Sequence, residues 1–327
     1  MAENFTPRNG IWPIGLGWAS AVAVAAVTIA MVATASRPSL VDLVPADIAS
    51  RARRAEAAMT RAAEVIRDAR RAEGIPSEAA DSSVMSSLVG AEVTPITTTL
   101  GNLEAKRVAS SAAWARALVP RLYQAGVRRG DIVAAGFSGS FPGLNLALAV
   151  ACQSLDVKLL AVSSVTASSW GANQPGFTWP EIEARLVKAG VIGQATIAIT
   201  LGGAGDRALD LEADGRREAE RIAKLVAARL SVPVLMPVDF DDAVACRLDA
   251  YRRAAGGRPI QLYANIGGTE ASLGRSPVVL HLRNGFLPGV PFDFSRERGV
   301  MARFAERGVR VLTLLNVRDL ALRWGIL

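Results

Sequence analysis

The chain has 327 residues and half of them are hydrophobic, enough for one large domain or two small ones, which excludes disorder over most of its length. Its 29 glycines follow no triplet period, and two cysteines, Cys152 and Cys246, are too few for a disulfide scaffold or a multi-cysteine zinc site. With His281 as the one histidine, any metal would have to sit on carboxylate and hydroxyl oxygens, so no metal site is assigned; the sequence leaves the cofactor unknown. Lys and Arg number 37 against 30 Asp and Glu, a net charge of +7.

The first predicted element is a membrane anchor within residues 1–36. Asn9 to Ser36 is a run of 28 residues without a charge, bounded by Arg8 and Arg37. Within it Ile14 to Ala33 is apolar and rich in small residues, and about 20 such residues cross the hydrocarbon core. Trp12 and Trp18 suit a headgroup boundary. Ala33-Thr34-Ala35 also fits a signal-peptide cleavage pattern, but the run is longer than an h-region of about 7–15 residues. A single-pass protein of the cell membrane is therefore expected. Arg8 on one side, against Arg37, Arg51, Arg53 and Arg54 on the other, leaves the side of the large domain open, because long domains translocate largely regardless of charge. The first 36 residues hold one Arg and one Glu, so the whole +7 belongs to the remainder.

Residues 37–76 read as a short linker and an Arg-rich helical stalk. From Ala46 to Glu73, Ile48, Ala52, Ala55, Met59, Ala62, Ile66 and Ala69 alternate at spacings of four and three, a helix with a thin apolar seam. The seam serves either packing on the protein's own domain or a weak coiled coil, against which its alanine content argues. Seven arginines between Arg51 and Arg71 form a face suited to anionic headgroups or polymers, or simply to solvent. Gly74-Ile75-Pro76 ends the helix.

Residues 77–327 alternate short β-branched runs with amphipathic helices, the pattern of an α/β domain. The predicted order is helix 106–126, strand 131–135, helix 144–155, strand 158–163, helix 179–189, strand 196–201, helix 211–230, strand 234–237, helix 240–255 and strand 261–264. A Pro/Gly-rich stretch from Arg283 to Phe294, helix 296–307, strand 309–315 and helix 317–324 follow. The economical architecture is a mostly parallel, doubly wound sheet with Gly/Ser/Thr-rich loops at the strand carboxyl ends. In such sheets ligands bind beyond those ends.

Four loops qualify as binding elements. Gly136 to Gly143 runs from a strand into a helix, so its backbone N–H groups can cradle an anion, with Ser138 and Ser140 adding hydroxyls. It is neither a Walker loop nor a dinucleotide fingerprint, and it also reads as a tight turn with a serine cap. The second loop, Ser163 to Asn173, places Ser164, Trp170 and Asn173 at a strand end. The third, Leu201 to Asp206, and the fourth, Asn265 to Glu270 with Gly268 and Thr269, follow apolar strands in the same way. A parallel sheet would bring all four to one crevice. Upstream, Thr98 lies in a Thr-rich stretch that enters a helix at Glu104, Lys106 and Arg107, where two cations oppose the helix dipole and suggest a ligand or an ion pair.

The run TPITTTLGNLEAKR, together with GDIVAAGFSGSFPGLNLALAVACQSLDVKLLAVSSVTASSWGANQPGFTWPEIE, resembles the poly-γ-glutamate system protein family, membrane-anchored proteins that accompany the bacterial poly-γ-glutamate synthase and export components. The likeness runs from about Ser87 onward, with SSVTASSWGANQPGFTW its most specific part, and the anchor fits it. It implies an accessory role in making or exporting the polymer as capsule or released product, with synthase and export subunits, the anionic polymer and the lipid bilayer as partners and no nucleic acid. It carries over no catalytic residue. Two other readings stay open. One is a serine-dependent amidohydrolase or transferase acting on the polymer, with Ser138 as nucleophile, His281 as base and an acid among Asp239, Asp241 and Asp242, although Ser140 stands where a nucleophile elbow would end in glycine. The other is a small-molecule-binding regulatory subunit. His281 lies in the apolar stretch Pro277 to Leu282, which also suits a structural histidine.

Overall fold

The computed structural model describes residues 40–75, 83–287 and 298–327. The expected anchor, Ile14 to Ala33, lies outside the described residues, and among those described no helix is long and apolar enough to cross a membrane.

The described chain is of the α/β class, with one six-stranded, mostly parallel sheet. In chain order its strands are β1 (Ile132–Phe137), β2 (Lys158–Ser164), β3 (Thr196–Thr200), β4 (Ile260–Ile266), β5 (Gly285–Phe286) and β6 (Arg310–Leu314), placed side by side as β3-β2-β1-β4-β6-β5. Only β5 runs antiparallel, pairing Gly285 with Thr313 and Phe286 with Leu312. The helices that matter below are α1 (Ala46–Ala72), α2 (Leu103–Ala109), α3 (Ala113–Gln124), α4 (Pro142–Ser154), α5 (Trp179–Lys188), α6 (Ala213–Leu230) and α7 (Phe240–Ala255). The single turns α8 (Glu270–Leu273) and α9 (Val278–His281) precede α10 (Val300–Glu306) and α11 (Val317–Trp324).

Successive side chains of a strand point to opposite faces, and here both faces are buried. Val133, Ala135 and Phe137 of β1 join a core with residues of α1, α3, α4, α5 and α11, while Ile132 and Ala134 join a second core with residues of α7 and α10. A third apolar cluster packs α6 on Ile199 and Leu201. The apolar runs of the inner strands follow directly from this double burial.

Helix α1 belongs to the same compact unit as the sheet, which begins at Leu40. Its seam residues Ile48, Ala52, Ala55, Met59, Ala62 and Ile66 are buried in the first core beside α3 and α4, so the seam is spent on the protein's own domain. Arg51 on its flank pairs with Asp156 at 3.0 Å.

Three predicted elements are corrected. The helix expected over 106–126 is two helices: Ser110 Oγ donates to the Lys106 carbonyl at 3.0 Å and Ser111 Oγ accepts from Ala113 N at 3.3 Å, hydrogen bonds that compete with the helical ladder. Residues 234–237 form no strand; only Val234 bridges Ile199, because Pro233 and Pro237 supply no N–H to a ladder. The helix expected over 296–307 is found over Val300–Glu306 with Gly299 at its cap, and Arg296 lies outside the described residues.

Candidate functional site

In register, Phe137 of β1 lies beside Ser163 of β2 and Ile266 of β4, and Ser164 of β2 lies beside Thr200 of β3. The four glycine- and serine-rich loops therefore leave the sheet along one edge. The Thr-rich stretch is laid across the second loop by a parallel bridge between Thr97 and Ala167, with Thr98 N donating to Ala167 O and Ser169 N to Thr99 O, each at 2.9 Å. Asn102 then caps α2 by accepting from Ala105 N at 2.9 Å. These elements enclose a cavity of about 830 Å³ at the strand carboxyl ends, within the range of small-molecule sites.

Of the residues singled out in the sequence, Thr98, Lys106, Ser138, Ser140, Gly268 and Thr269 line this cavity. Lys106 is its chemical centre. The residue is 4% exposed, and its Nζ donates to the Ser140 carbonyl at 2.5 Å and to Ser168 Oγ at 2.8 Å while standing 4.0 Å above the Phe141 ring. Among the described residues it has no carboxylate partner. Burial lowers its pKa from the ordinary 10.5 to about 7, so near neutrality the amine is poised between its charged and neutral forms.

The facing wall carries charge of its own. Glu270 Oε2 accepts from Gly205 N at 2.6 Å and Oε1 from Arg275 Nε at 2.8 Å. Burial pushes the Glu270 carboxyl up, but the hydrogen bonds from Arg275 and Gly205 outweigh it and hold the group below the usual carboxylate range. Asp210, exposed at the rim, accepts from Ala204 N at 2.9 Å.

The other predicted residues are placed elsewhere. Glu104 and Arg107 pair with each other at 2.5 Å on the outer side of α2. Asn173 is fully buried and ties the loops together: its side chain accepts from Ala91 N at 3.0 Å and donates to Ala91 O at 2.8 Å and to Thr97 Oγ1 at 2.9 Å. Trp170 adopts a left-handed backbone, φ 63°, with its N–H bonded to Ala91 O. Asn265 is also fully buried, donating to Gly267 O at 2.9 Å and accepting from Ser272 Oγ at 2.7 Å. Ser164 faces Thr200 Oγ1 at 3.4 Å beneath the cavity.

The Ser138–His281 pairing is not assembled. Ser138 Oγ accepts from Ser140 N at 3.2 Å, whereas His281 ends the one-turn helix α9, is exposed and does not line the cavity. Two of the three proposed acids are used elsewhere, Asp239 capping α7 by accepting from Asp242 N at 2.8 Å and Asp242 accepting from Val238 N at 2.9 Å, and Asp241 is exposed. Among the described residues no cluster of His, Cys, Asp and Glu suits a metal ion.

Several contributors were not singled out beforehand. Phe141 and Ser168 stood in the quoted loops, but only the fold aims them at Lys106. Beneath the loops, Arg247 and Asp206, each 1% exposed, form a bidentate pair at 2.6 and 2.8 Å, and Arg247 Nη2 also donates to Thr200 Oγ1 at 3.0 Å. Tyr251 donates to the Ala135 carbonyl at 2.6 Å, anchoring α7 to β1. Compared with protein-family models, characterised proteins and solved structures, the chain matches none.

Proposed function

We propose that this chain is a membrane-anchored accessory component of poly-γ-glutamate synthesis or export, acting beside the synthase and export subunits and holding a carboxylate-bearing segment of the polymer in the cavity at the strand ends. The reading combines the family resemblance with a doubly wound arrangement that presents the loops on one edge. The observation that carries it is Lys106, a buried amine with no carboxylate partner among the described residues, held by the Ser140 carbonyl and the Ser168 hydroxyl and lining that cavity. A bound carboxylate supplies the missing counter-charge and favours the protonated amine.

A hydrolytic role has less support, because His281 is not within hydrogen-bonding contact of Ser138. The test is calorimetric titration of the full-length protein in detergent with γ-linked glutamate oligomers at low and high salt, for the wild type and Lys106→Met. Affinity is expected to fall about tenfold or more with salt and to be lost in the variant. Salt-insensitive binding, or equal binding by Lys106→Met, overturns the assignment.

A further inference from the structure

A second cavity lies away from the strand ends, walled by α3, α11, the edge strand β5 and the first residue of β6. Its volume is about 420 Å³, and four arginines line it: Arg121, Arg283, Arg310 and Arg323. Its described lining contains no Asp or Glu. Arg323 shares Asp319 at 2.8 Å and donates to the Asn284 carbonyl at 2.7 Å. Arg121 is held by carbonyls, Ala117 O at 2.9 Å and Trp324 O at 3.3 Å, with its guanidinium 4.2 Å from the Trp324 ring. Arg283 and Arg310 are exposed and make no side-chain hydrogen bond or ion pair among the described residues.

Arg323 has Asp319 as its counter-charge, but Arg121, Arg283 and Arg310 have no ion-pair partner among the described residues, and a bound oxyanion relieves the repulsion among them. Arginine's planar fork matches phosphate oxygens two at a time. Burial lowers the Arg121 pKa to about 10, which leaves it charged at neutral pH and in want of an anionic neighbour.

Two independent features select the source of the oxyanion. First, Leu40 lines the same cavity and stands four residues after Ser36, the end of the uncharged run. Four residues of extended chain span no more than about 14 Å, so Leu40 is within that covalent reach of Ser36. Secondly, exposed leucines lie close in the chain to residues of the cavity: Leu43 follows Leu40, Leu322 precedes Arg323 and Leu327 follows Trp324, and they are 64%, 66% and 60% exposed. Exposed leucines carried near these arginines in the chain suit an interface where acyl chains meet headgroups better than a site for a free ion or a wholly hydrophilic polymer.

We propose that the arginine-lined cavity between α3, α11 and the β5–β6 edge binds the phosphate of an anionic membrane phospholipid. The assignment is independent of the ligand at the strand ends and rests on the reading of Asn9 to Ser36 as a membrane span.

The test uses the full-length protein in a nonionic detergent, titrated with dihexanoyl phosphatidylglycerol, dihexanoyl phosphatidylcholine, inorganic phosphate and γ-linked glutamate oligomers. The comparison is with Arg283→Glu/Arg310→Glu, two exposed positions, whose fold is checked by circular dichroism and melting. Phosphatidylglycerol is expected to bind the wild type at least tenfold more tightly than phosphatidylcholine, and the double variant to lose about 30-fold, roughly fivefold for each arginine removed. Equal binding of the two lipids, or of phosphatidylglycerol by wild type and variant, refutes the site. Inorganic phosphate binding as tightly as the lipid reassigns it to a free oxyanion, and oligomer binding that the double variant abolishes reassigns it to the polymer; both overturn the lipid assignment.

Discussion

Replacing Lys106 by methionine should weaken ligand binding while making the free protein more stable at neutral pH, and the sign of the stability change should reverse in alkali. In the folded chain the amine takes up a proton only below about pH 7, whereas in the unfolded chain it does so below 10.5. Between those values the unfolded state binds more protons, so wild-type stability rises with pH across the window and is lowest, by a constant amount, beneath it. At ~1.4 kcal/mol per pH unit, the lowering from 10.5 to about 7 corresponds to on the order of 4–5 kcal/mol of destabilisation at low pH. Methionine removes that cost at similar volume but leaves the Ser140 carbonyl and Ser168 hydroxyl without their donor, a loss of about 1–3 kcal/mol. The net expectation at pH 7 is a variant more stable by roughly 1–3 kcal/mol. Near pH 10 only about 1 kcal/mol of the charge cost remains, and the lost hydrogen bonds leave the variant level with the wild type or weaker. Thermal or urea unfolding of the full-length protein across pH 6–10 reads this directly. A difference that is independent of pH, or a variant less stable than the wild type at pH 7, would refute the argument that Lys106 is a costly buried cation retained for binding.

Three further outcomes follow from the same structure. Arg247→Met strands the Asp206 carboxylate in the interior and should cost about 3–5 kcal/mol in urea unfolding, much of it restored by the second substitution Asp206→Asn, which removes the buried charge and suits the left-handed backbone at that position, φ 61°. Gly143→Ala should destabilise by roughly 1–3 kcal/mol, because its Cβ would come within 2.5 Å of the Ala109 carbonyl oxygen and 2.6 Å of Ser110 Cα, backbone that cannot yield without shifting α2 and Lys106. His281→Ala, at an exposed position, should change stability by less than about 0.5 kcal/mol and leave any activity on poly-γ-glutamate intact; loss of activity in that variant would return the serine–histidine reading to consideration.

The sheet was legible because burial on both faces writes itself into sequence as uninterrupted apolar strands, and helices were bounded well where caps are chemical. Helix α7 runs from Phe240 to Ala255 as expected, since the Asp239 side chain accepts from Asp242 N at its start and Gly256 takes the left-handed conformation at its end, φ 60°. Helix α11 stops at Trp324 for the same reason, with Gly325 at φ 68°. Strand β5 left no such trace: two residues have no period, and Gly285–Phe286 is specified by pairing with Thr313 and Leu312. Residues 234–237 look like a strand in composition but lack the donors of one.

The cavity was legible in its loops and hidden in its assignments. Glycine and serine after apolar strands marked where the chain leaves the sheet, and a parallel register then forces those exits to one edge. What the pattern could not separate was a hydroxyl or amide that faces a ligand from one that fastens two loops together, because both need the same residue types. Asn173 and Asn265 spend their amides on backbone and neighbouring hydroxyl groups that would otherwise be buried without partners. Lys106 differs in that its hydrogen bonds leave a charge uncompensated, and that imbalance can be judged only once Ser140, Ser168 and Phe141 have been brought around it from segments 34 to 62 residues further along the chain. The decisive property of the site is thus a missing partner, which depends on the long-range fold and has no sequence motif to announce it.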